Sequence, residues 1–542
     1  MPTLDFKGKA HVYGHHLVVP WRPLVPHPDR SVGPGNVDDN LIIHGDNLHA
    51  LKALLPRYAG RVKCVYIDPP YNTGNEGWIY NDNGNSPALR HWLSENGPVD
   101  GEDLERHDKW LTMMWPRLQL LRQLLSDDGV IFVSCDDNEV HHLRMMMDEI
   151  FGEENFFVTQ VRRAMHTVRN SSKDFNLNAD YVVSYAKDKS WFGESPDRYI
   201  RYISDKSARY PRDDDDGKGP YKLDPLHARN YFEPYTYVFA NGVEWSAPSG
   251  SFPRYSRQRL QEMEAEGEID FGGREPRAKR YLKDVQAGQP PDAVLDPDIV
   301  RFNATGTTLL RETFGRGGVF PQPKPVQLIQ YLIELVRDPQ AIVLDSFAGS
   351  GTTGHAVLAL NKADGGNRRF IMVECEDYAD DVTAERMRRV IAGVDEAREE
   401  TLRGGLGGTF TFCTLGERTS GVGMLTGESL PGFDDLAAWL VHSATGLSIG
   451  AEDLATRDEH GLIYSNDSTD YYLIYEPDIE WLQSNESVLT APRADAIGAI
   501  CREHDRGAVV FASARYIPQD ELRDMRVMFA QLPFAVQQID EA

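Results

Sequence analysis

Cysteine is scarce in this chain: Cys64, Cys135, Cys375, Cys413 and Cys501 are scattered through 542 residues with no C-x-x-C pair. That spacing excludes a disulfide framework, a zinc ribbon and a dithiol redox motif, and leaves the thiols as small packed hydrophobes. No run approaches the roughly 18 uncharged apolar residues that a membrane-crossing helix needs. The opening MPTLDFKGKAHVYGHH lacks a basic-then-apolar leader, so a cytoplasmic protein with no membrane partner is expected. Lysine is absent from residues 395–542, where 26 acidic side chains face 10 arginines. Such a tail cannot clamp phosphate. Neither an internal repeat nor a long low-complexity tract is present, and the tandem His141 and His142 lack an H-x-x-x-H partner, so no metal is expected.

What remains is ordinary globular composition, 41% hydrophobic and 26% charged, with a net charge of −26. At roughly 150 residues per domain the length suggests about three compact units. The acid is unevenly placed: residues 157–330 come out near +2, which leaves the middle of the chain free to meet a polyanion. Short apolar runs alternate with helical patterns in two separate stretches, the mark of an α/β sheet. Leu41–Ile43, Val62–Ile67 and Val130–Val133 read as buried strands of the first stretch, Ile342–Leu344 and Phe370–Val373 as strands of the second. KWLTMMWPRLQLLRQLL and DDNEVHHLRMMMDEIF read as helices, and another is expected to begin near Thr353. Between the stretches the sequence turns rich in Gly, Pro, Tyr and Arg, and DDDDGKG within it reads as a solvated loop. The expected division is 1–189, an inserted region 190–318, 319–402, and, after the glycine-rich RGGLGGTF, a small C-terminal α/β domain 410–542.

The stretch VKCVYIDPPYNTGN places Asp68-Pro69-Pro70-Tyr71 directly after an apolar strand. Open α/β sheets bind ligands at that carboxyl end. An exocyclic amine on a nucleobase is a poor nucleophile because its lone pair is delocalised into the ring. Two acceptors aimed at its two protons hold it nearer to tetrahedral, and the Asp68 carboxylate and Pro69 carbonyl can supply them on a turn stiffened by two prolines. Tyr71 offers a flat face for a base that has left the duplex. The same tetrapeptide also suits an ordinary strand-ending turn.

The run AIVLDSFAGSGTTGHAV reads strand, glycine turn, helix. Gly349, Gly351 and Gly354 give G-x-G-x-x-G, which lets backbone approach a ligand at a helix N-terminus. Glu374 ends the next strand, where a carboxylate grips ribose hydroxyls. Nicotinamide-dependent oxidoreductases use this arrangement too. Phe347 to Gly351 suits S-adenosyl-L-methionine (SAM) better, and a DPPY turn has no part in hydride transfer. Candidate cofactor residues are Asp345, Phe347, Ala348, Gly349, Ser350, Gly351, Thr352, Thr353 and Glu374, Asp345 being otherwise a cap or sheet-edge carboxylate.

A DPPY turn early, a long middle region and FAGSGTT late resembles the beta class of amino-methyltransferases acting on DNA. GDNLHALKAL, YIDPPYNTGN, GVIFVSCDDNEVHHLRMMMDEIFGEENF, YVVSYAKDK, ATGTTLLRETFG, FPQPKPVQLIQYLI and LDSFAGSGTTGHAV are similar to segments of the modification subunits of type III restriction systems, over about residues 40–390. The resemblance implies a Rossmann-like SAM-dependent methyltransferase sheet with helices on both faces, and transfer of a methyl group to adenine N6. It also implies cofactor contacts from Asp46, otherwise a helix N-cap, and from Lys324 at the methionine end. A homodimer and an ATP-dependent restriction (Res) partner follow from it as well; the acidic C-terminal domain, unsuited to phosphate by its charge, is expected to serve dimer or partner contacts.

Basic residues interleaved with Tyr and Phe in the middle region suit double-stranded DNA. They are Arg162, Arg163 and Arg169, then Arg254, Arg257 and Arg259, then Arg274, Arg277, Lys279 and Arg280. Three rivals stand beside adenine-N6 methylation: the N4 amine of cytosine, a nicotinamide-dependent oxidoreductase, and a catalytically silent DNA-binding subunit.

Overall fold

The computed structural model describes residues 3–73, 106–166, 175–195, 198–202, 210–284, 290–454 and 458–532. The chain forms two compact units, Met1–Ile200 with Asp292–Ala542, and Arg201–Pro291.

A ten-stranded sheet organises the first unit. Its strands are β1 (Leu24–Pro26), β2 (Leu41–His44), β3 (Val62–Ile67), β4 (Leu125–Cys135), β5 (Phe156–Arg163), β6 (Ala179–Ala186), β7 (Val294–Leu295), β8 (Ile342–Asp345), β9 (Arg369–Glu374) and β10 (Thr411–Leu415). Their order across the sheet is β1-β10-β2-β9-β8-β3-β4-β6-β5-β7. The central strands β2, β9, β8, β3 and β4 are parallel, while β6 runs antiparallel between β4 and β5. Side chains of β2, β3, β8 and β9 are buried at nearly every position. That is why these segments read as continuous apolar runs rather than alternating ones: a parallel sheet is covered on both faces. Helices α1 (Asn47–Tyr58), α2 (Arg106–Leu124), α3 (Val140–Phe151), α4 (Val326–Val336), α5 (Thr352–Asp364) and α6 (Glu385–Ala392) accompany the strands. Trp110, Trp115, Leu118 and Leu121 of α2 pack into one core with Leu51 and Leu54 of α1 and Ile67 of β3.

Segments almost three hundred positions apart meet in the middle. β3 pairs parallel with β8, Cys64 opposite Val343 and Val65 opposite Leu344. From that pair the chain winds outward on both sides, β3 to β4 and β8 to β9, so the strand order reverses between them. A crevice at the carboxyl ends is the geometric consequence.

The unit Arg201–Pro291 carries a three-stranded sheet of Tyr221–Pro225, Ile269–Asp270 and Arg277–Tyr281, a helix Arg257–Ala265, and a small core of Leu226, Phe239, Trp245, Leu260 and Met263. Residues 292–318, grouped with the insertion on composition, return to the large sheet. β7 pairs with β5, and Leu310 and Phe314 of the helix Asn303–Phe314 pack with Val382. A boundary at 410 likewise falls just before β10, which lies between β1 and β2. Glycine-rich composition marks a loop here, not a domain edge. Beyond β10, strands Leu462–Ser465, Thr469–Leu473, Gly507–Ala512 and Val527–Gln531 form a separate four-stranded sheet. This part is tied to the rest by Trp439 stacked on Trp21 at 5.0 Å and by Asp435 on Arg57 at 3.0 Å.

Candidate active site at the carboxyl edge of the sheet

Asp68 follows β3, and Asp345 ends β8, so the register of the two strands brings both turns to one sheet edge. The Asp68–Tyr71 turn is held from outside. Trp110 of α2 donates its indole N–H to the Pro70 carbonyl at 2.7 Å. Asn72, fully buried and left-handed at φ 58°, donates to Glu139 Oε1 at 2.5 Å and to the Arg106 carbonyl at 3.2 Å. The Nζ of Lys324 lies 2.8 Å from Asp68 Oδ2 and 4.7 Å from the Tyr71 ring centroid. The other oxygen, Oδ1, is buried with no hydrogen-bond partner among the described residues. Burial, and then the Asp68 charge, push the Tyr71 hydroxyl well above its usual range, so it stays protonated. Asp180 of β6 joins this group. Burial raises its carboxyl, against the pull of Lys324 and Arg162.

The glycine turn is fixed from within. Asp345 is 3% exposed and accepts from Phe347 N–H at 3.0 Å and Thr353 Oγ1 at 2.5 Å; burial pushes its carboxyl up to about 7. Gly349 (φ 52°) and Gly351 (φ 77°) are left-handed, a region that disfavours a Cβ. A Cβ on Gly349 would also stand 3.1 Å from the Phe320 ring, and one on Gly351 would stand 3.1 Å from the Thr383 carbonyl. Arg386 of α6, wholly buried, donates to the Ser350 carbonyl (3.2 Å), Ser350 Oγ (3.1 Å) and Thr352 Oγ1 (3.0 Å). Its second nitrogen meets His355 Nδ1 at 3.3 Å, and burial with that guanidinium keeps His355 neutral. Glu374 accepts from Gly349 N–H at 2.7 Å and from the N–H groups of Cys375 and Glu376 at 2.9 and 3.0 Å. Asn47, which opens α1, ties that helix to the glycine turn: its amide donates to the Ser346 carbonyl at 2.9 Å.

The sequence-predicted residues therefore fall into groups. Asp68, Pro69, Pro70, Tyr71 and Lys324 stand at one turn; Phe347, Ala348, Gly349, Gly351 and Glu374 stand at the adjoining one. Asp345 and Thr353 need correcting as direct cofactor contacts, since they are buried and satisfy each other, with Phe347 N–H taking the remaining Asp345 oxygen. The hydroxyls of Ser350 and Thr352, and the Ser350 carbonyl, are engaged by Arg386. Asp46 caps α1, accepting from Leu48 and His49 N–H groups at 2.9 and 3.3 Å, while among the described residues its other oxygen meets Arg117 at 3.4 Å.

Among the basic residues, Arg162 needs correcting. It is 1% exposed, because alternate residues of β5 face inward, and its guanidinium is taken by Asn303 Oδ1 (2.7 Å), the Arg301 carbonyl (3.2 Å) and Asp180 (3.4 Å). Arg163, the next residue, is exposed; Arg169 lies outside the described residues. In the smaller unit Arg254, Arg259, Lys279 and Arg280 line one shallow depression with Tyr255. Much of their charge is met internally: Asp224 pairs with Lys222, Arg254 and Arg280, each at 3.4 Å, Lys279 pairs with Asp214 at 2.6 Å, and Arg259 pairs with Glu268 at 3.2 Å. Arg257 lies over the Tyr235 ring at 4.8 Å, and Arg274 and Arg277 are exposed. Residues not singled out from sequence, Trp110, Glu139 and Arg386, hold the two turns, and Asp180 adds its charge beside Lys324 and Asp68. Each sits inside an apolar helix or strand pattern, or at its end, and nothing in the spacing marks it.

A family model described as a DNA methylase matches residues 62–385. Over 428 residues the chain is 33% identical to the Mod subunit of the type III restriction-modification enzyme StyLTI of Salmonella typhimurium, covering 72% of this chain and 63% of that one. It is 30% identical over 390 residues to the EcoPI Mod subunit of Escherichia phage P1, covering 62% and 58%. It is 29% identical over 376 residues to the type II methyltransferase M.KpnI of Klebsiella pneumoniae, covering 64% and 82%. The chain spans about three-fifths of the length of the two Mod subunits.

Proposed function

This chain belongs to the DNA methylase family matched over residues 62–385, and from that premise we propose that it methylates the exocyclic N6 amine of an adenine turned out of duplex DNA, with SAM as methyl donor. One observation carries the reading: the parallel pairing of β3 with β8 sets the Asp68–Tyr71 turn beside the glycine turn.

The residues present fit SAM. The turn 346–351 is left-handed at Gly349 and Gly351, where no Cβ blocks a close approach, Glu374 ends β9, and Asp46 caps α1 just past β2. Glu374 would hold ribose hydroxyls, Asp46 the adenine, and Lys324 the carboxylate. When bound, SAM supplies an electrophilic methyl group. The protein's own part is to hold and polarise the amine. Asp68 Oδ1, with no hydrogen-bond partner placed on it among the described residues, is ready to accept from one amine proton, and the Pro69 carbonyl is the second acceptor. Tyr71 stacks the extruded base, a contact worth on the order of 1–3 kcal/mol. Fixing the reactants in line can lower the barrier by roughly 7–11 kcal/mol.

The likeness to Mod subunits supports a role in a type III restriction-modification system, as a homodimer and with a Res partner. Exposed Arg163, Arg274 and Arg277 and the basic depression of the smaller unit are the candidate DNA contacts. The test is methyl transfer from labelled SAM to DNA by the purified protein, followed by nucleoside analysis. N6-methyladenine is expected. N4-methylcytosine would overturn the choice of base, and absence of transfer on DNA of varied sequence would overturn the reading.

A further inference from the structure

Beside the Asp68–Tyr71 turn lies a cluster that methyl transfer does not use. We propose that His107, Glu139 and His142 form a binding site for a divalent transition-metal ion of the zinc and cobalt class, which braces the turn through Asn72. The inference rests on these side chains and is independent of the reaction proposed above.

Glu139 precedes α3 and has no solvent exposure. The Nδ1 of His107, from the first turn of α2, is 2.5 Å from its Oε1, and the Nδ1 of His142 is 2.8 Å from its Oε2. All three donor atoms lie within 4.8 Å of one another. A buried carboxylate requires compensation, and what meets this one is two imidazoles and the Asn72 amide, none with a fixed positive charge. A dication supplies that charge. Glu139 and His142 stand in the Glu-x-x-His spacing that puts a carboxylate and an imidazole on one helical face, a pattern used by carboxylate metal sites. Two imidazoles and a carboxylate make a borderline ligand set with positions left for water, suited to Zn²⁺, Co²⁺ or Ni²⁺ rather than Mg²⁺ or Ca²⁺.

Ligation requires the two imidazoles, now hydrogen-bonded directly to Glu139, to draw back enough to admit the ion. Each Nδ1 releases its proton, and His107 Nε2, now 3.4 Å from Arg106 Nε, takes up the N–H of the other tautomer and gives up that long contact. The ring of His142 keeps its neighbours, His107 at 5.1 Å and His141 at 3.9 Å between centroids. The consequence reaches the turn because Asn72 follows Tyr71 directly, holds a left-handed conformation and is tied to Glu139 Oε1. Fixing Glu139 fixes the backbone that ends the Asp68–Tyr71 segment.

The test uses untagged full-length protein, stripped with chelator and titrated with Co²⁺ alone. One Co²⁺ per chain is expected, with visible ligand-field absorption, two hyperfine-shifted exchangeable imidazole N–H resonances, and bleaching by excess Zn²⁺. His142→Asn, at a half-exposed position, is expected to weaken binding at least tenfold and remove one of the two resonances, and His107→Gln with His142→Asn to abolish the site. Circular dichroism of each variant controls for folding. Absence of stoichiometric Co²⁺ binding by the parent protein, or binding and resonances unchanged in a folded His142→Asn variant, would overturn the proposal.

Discussion

The ammonium of Lys324 engages both parts of the Asp68–Tyr71 turn at once, 2.8 Å from the Asp68 carboxylate and 4.7 Å from the centre of the Tyr71 ring. A nucleobase stacked on the Tyr71 face that the ammonium covers would have to displace it, while the base amine has the other Asp68 oxygen, Oδ1, to meet. Removing the ammonium should release the site. Lys324→Ala is expected to extrude a target base more readily without cofactor, read as increased fluorescence of 2-aminopurine at the target position. The same variant should bind SAM about tenfold more weakly in calorimetry, about 1.4 kcal/mol, because the cofactor carboxylate loses its cation. No change in either measurement would remove Lys324 from the site.

Asp68→Asn keeps the size of the side chain but can turn an N–H₂ toward an amine that needs an acceptor. A loss of roughly 10²–10³ in kcat is expected, with SAM affinity preserved. Tyr71→Ala should instead weaken capture of the extruded base by on the order of 1–3 kcal/mol. Thermal unfolding of Asp68→Asn should stay close to that of the parent, since Asp68 is part-exposed and lies past the end of β3, whereas Tyr71→Ala removes a ring whose hydroxyl is buried and should lower it. Undiminished turnover by purified Asp68→Asn would end the proposed mechanism.

Trp110 reaches the reaction only through the Pro70 carbonyl. Trp110→Phe deletes one buried hydrogen bond, worth about 1 kcal/mol, and leaves a small cavity in the α2 core. A lower kcat with unchanged KM for SAM is expected, because the displaced turn aims Asp68 less well. Stability loss with an unchanged kcat would make Trp110 a core residue and nothing more.

The sheet was legible because a buried parallel strand has to be apolar along its whole length, and Val62–Ile67 or Phe370–Val373 can be little else. The turns were legible because Asp-Pro-Pro-Tyr and the spaced glycines are uncommon after such strands. What sequence could not separate was a functional carboxylate from a capping one. Asp46 and Asp345 both accept backbone N–H groups, and only burial tells that Asp345 is wholly enclosed while Asp46 keeps an exposed edge. Arg162 and Arg163 are chemically alike, and the two-residue period of β5 sends them to opposite faces. The domain edges failed for a related reason: Gly and Pro mark turns, whether or not the next strand belongs to the same sheet, as β7 and β10 do. Removal of the C-terminal part to test dimer or Res contacts should therefore begin after β10 rather than at 410.

Arg386 offers a prediction about the cofactor side. It is buried and donates to the Ser350 carbonyl and to two hydroxyls of the glycine turn. Arg386→Met fills most of the volume and leaves those acceptors without a donor, at about 1–3 kcal/mol. Lowered stability together with SAM affinity reduced at least tenfold is expected in paired thermal and calorimetric measurements. Lowered stability alone would mean that the turn keeps its shape without the guanidinium.

Asp345 should give the fold a specific pH dependence. Burial pushes its carboxyl up to about 7 in the folded chain, against 3.8 for a solvated aspartate. Between those values the folded protein holds a proton that the unfolded chain has released. The group's contribution is therefore most favourable below pH ~4, declines by at most about 1.4 kcal/mol per pH unit, and levels off above pH ~7, a total on the order of 4 kcal/mol. Asp345→Asn mimics the protonated acid, its Oδ1 accepting from Phe347 N–H and its Nδ2 donating to Thr353 Oγ1. The variant should thus gain thermal stability relative to the parent as pH rises from about 4.5 to about 7.5, the window set by this shift. Melting curves that stay parallel across the window would mean that Asp345 remains ionised throughout, with the hydrogen bonds from Phe347 and Thr353 outweighing its loss of water.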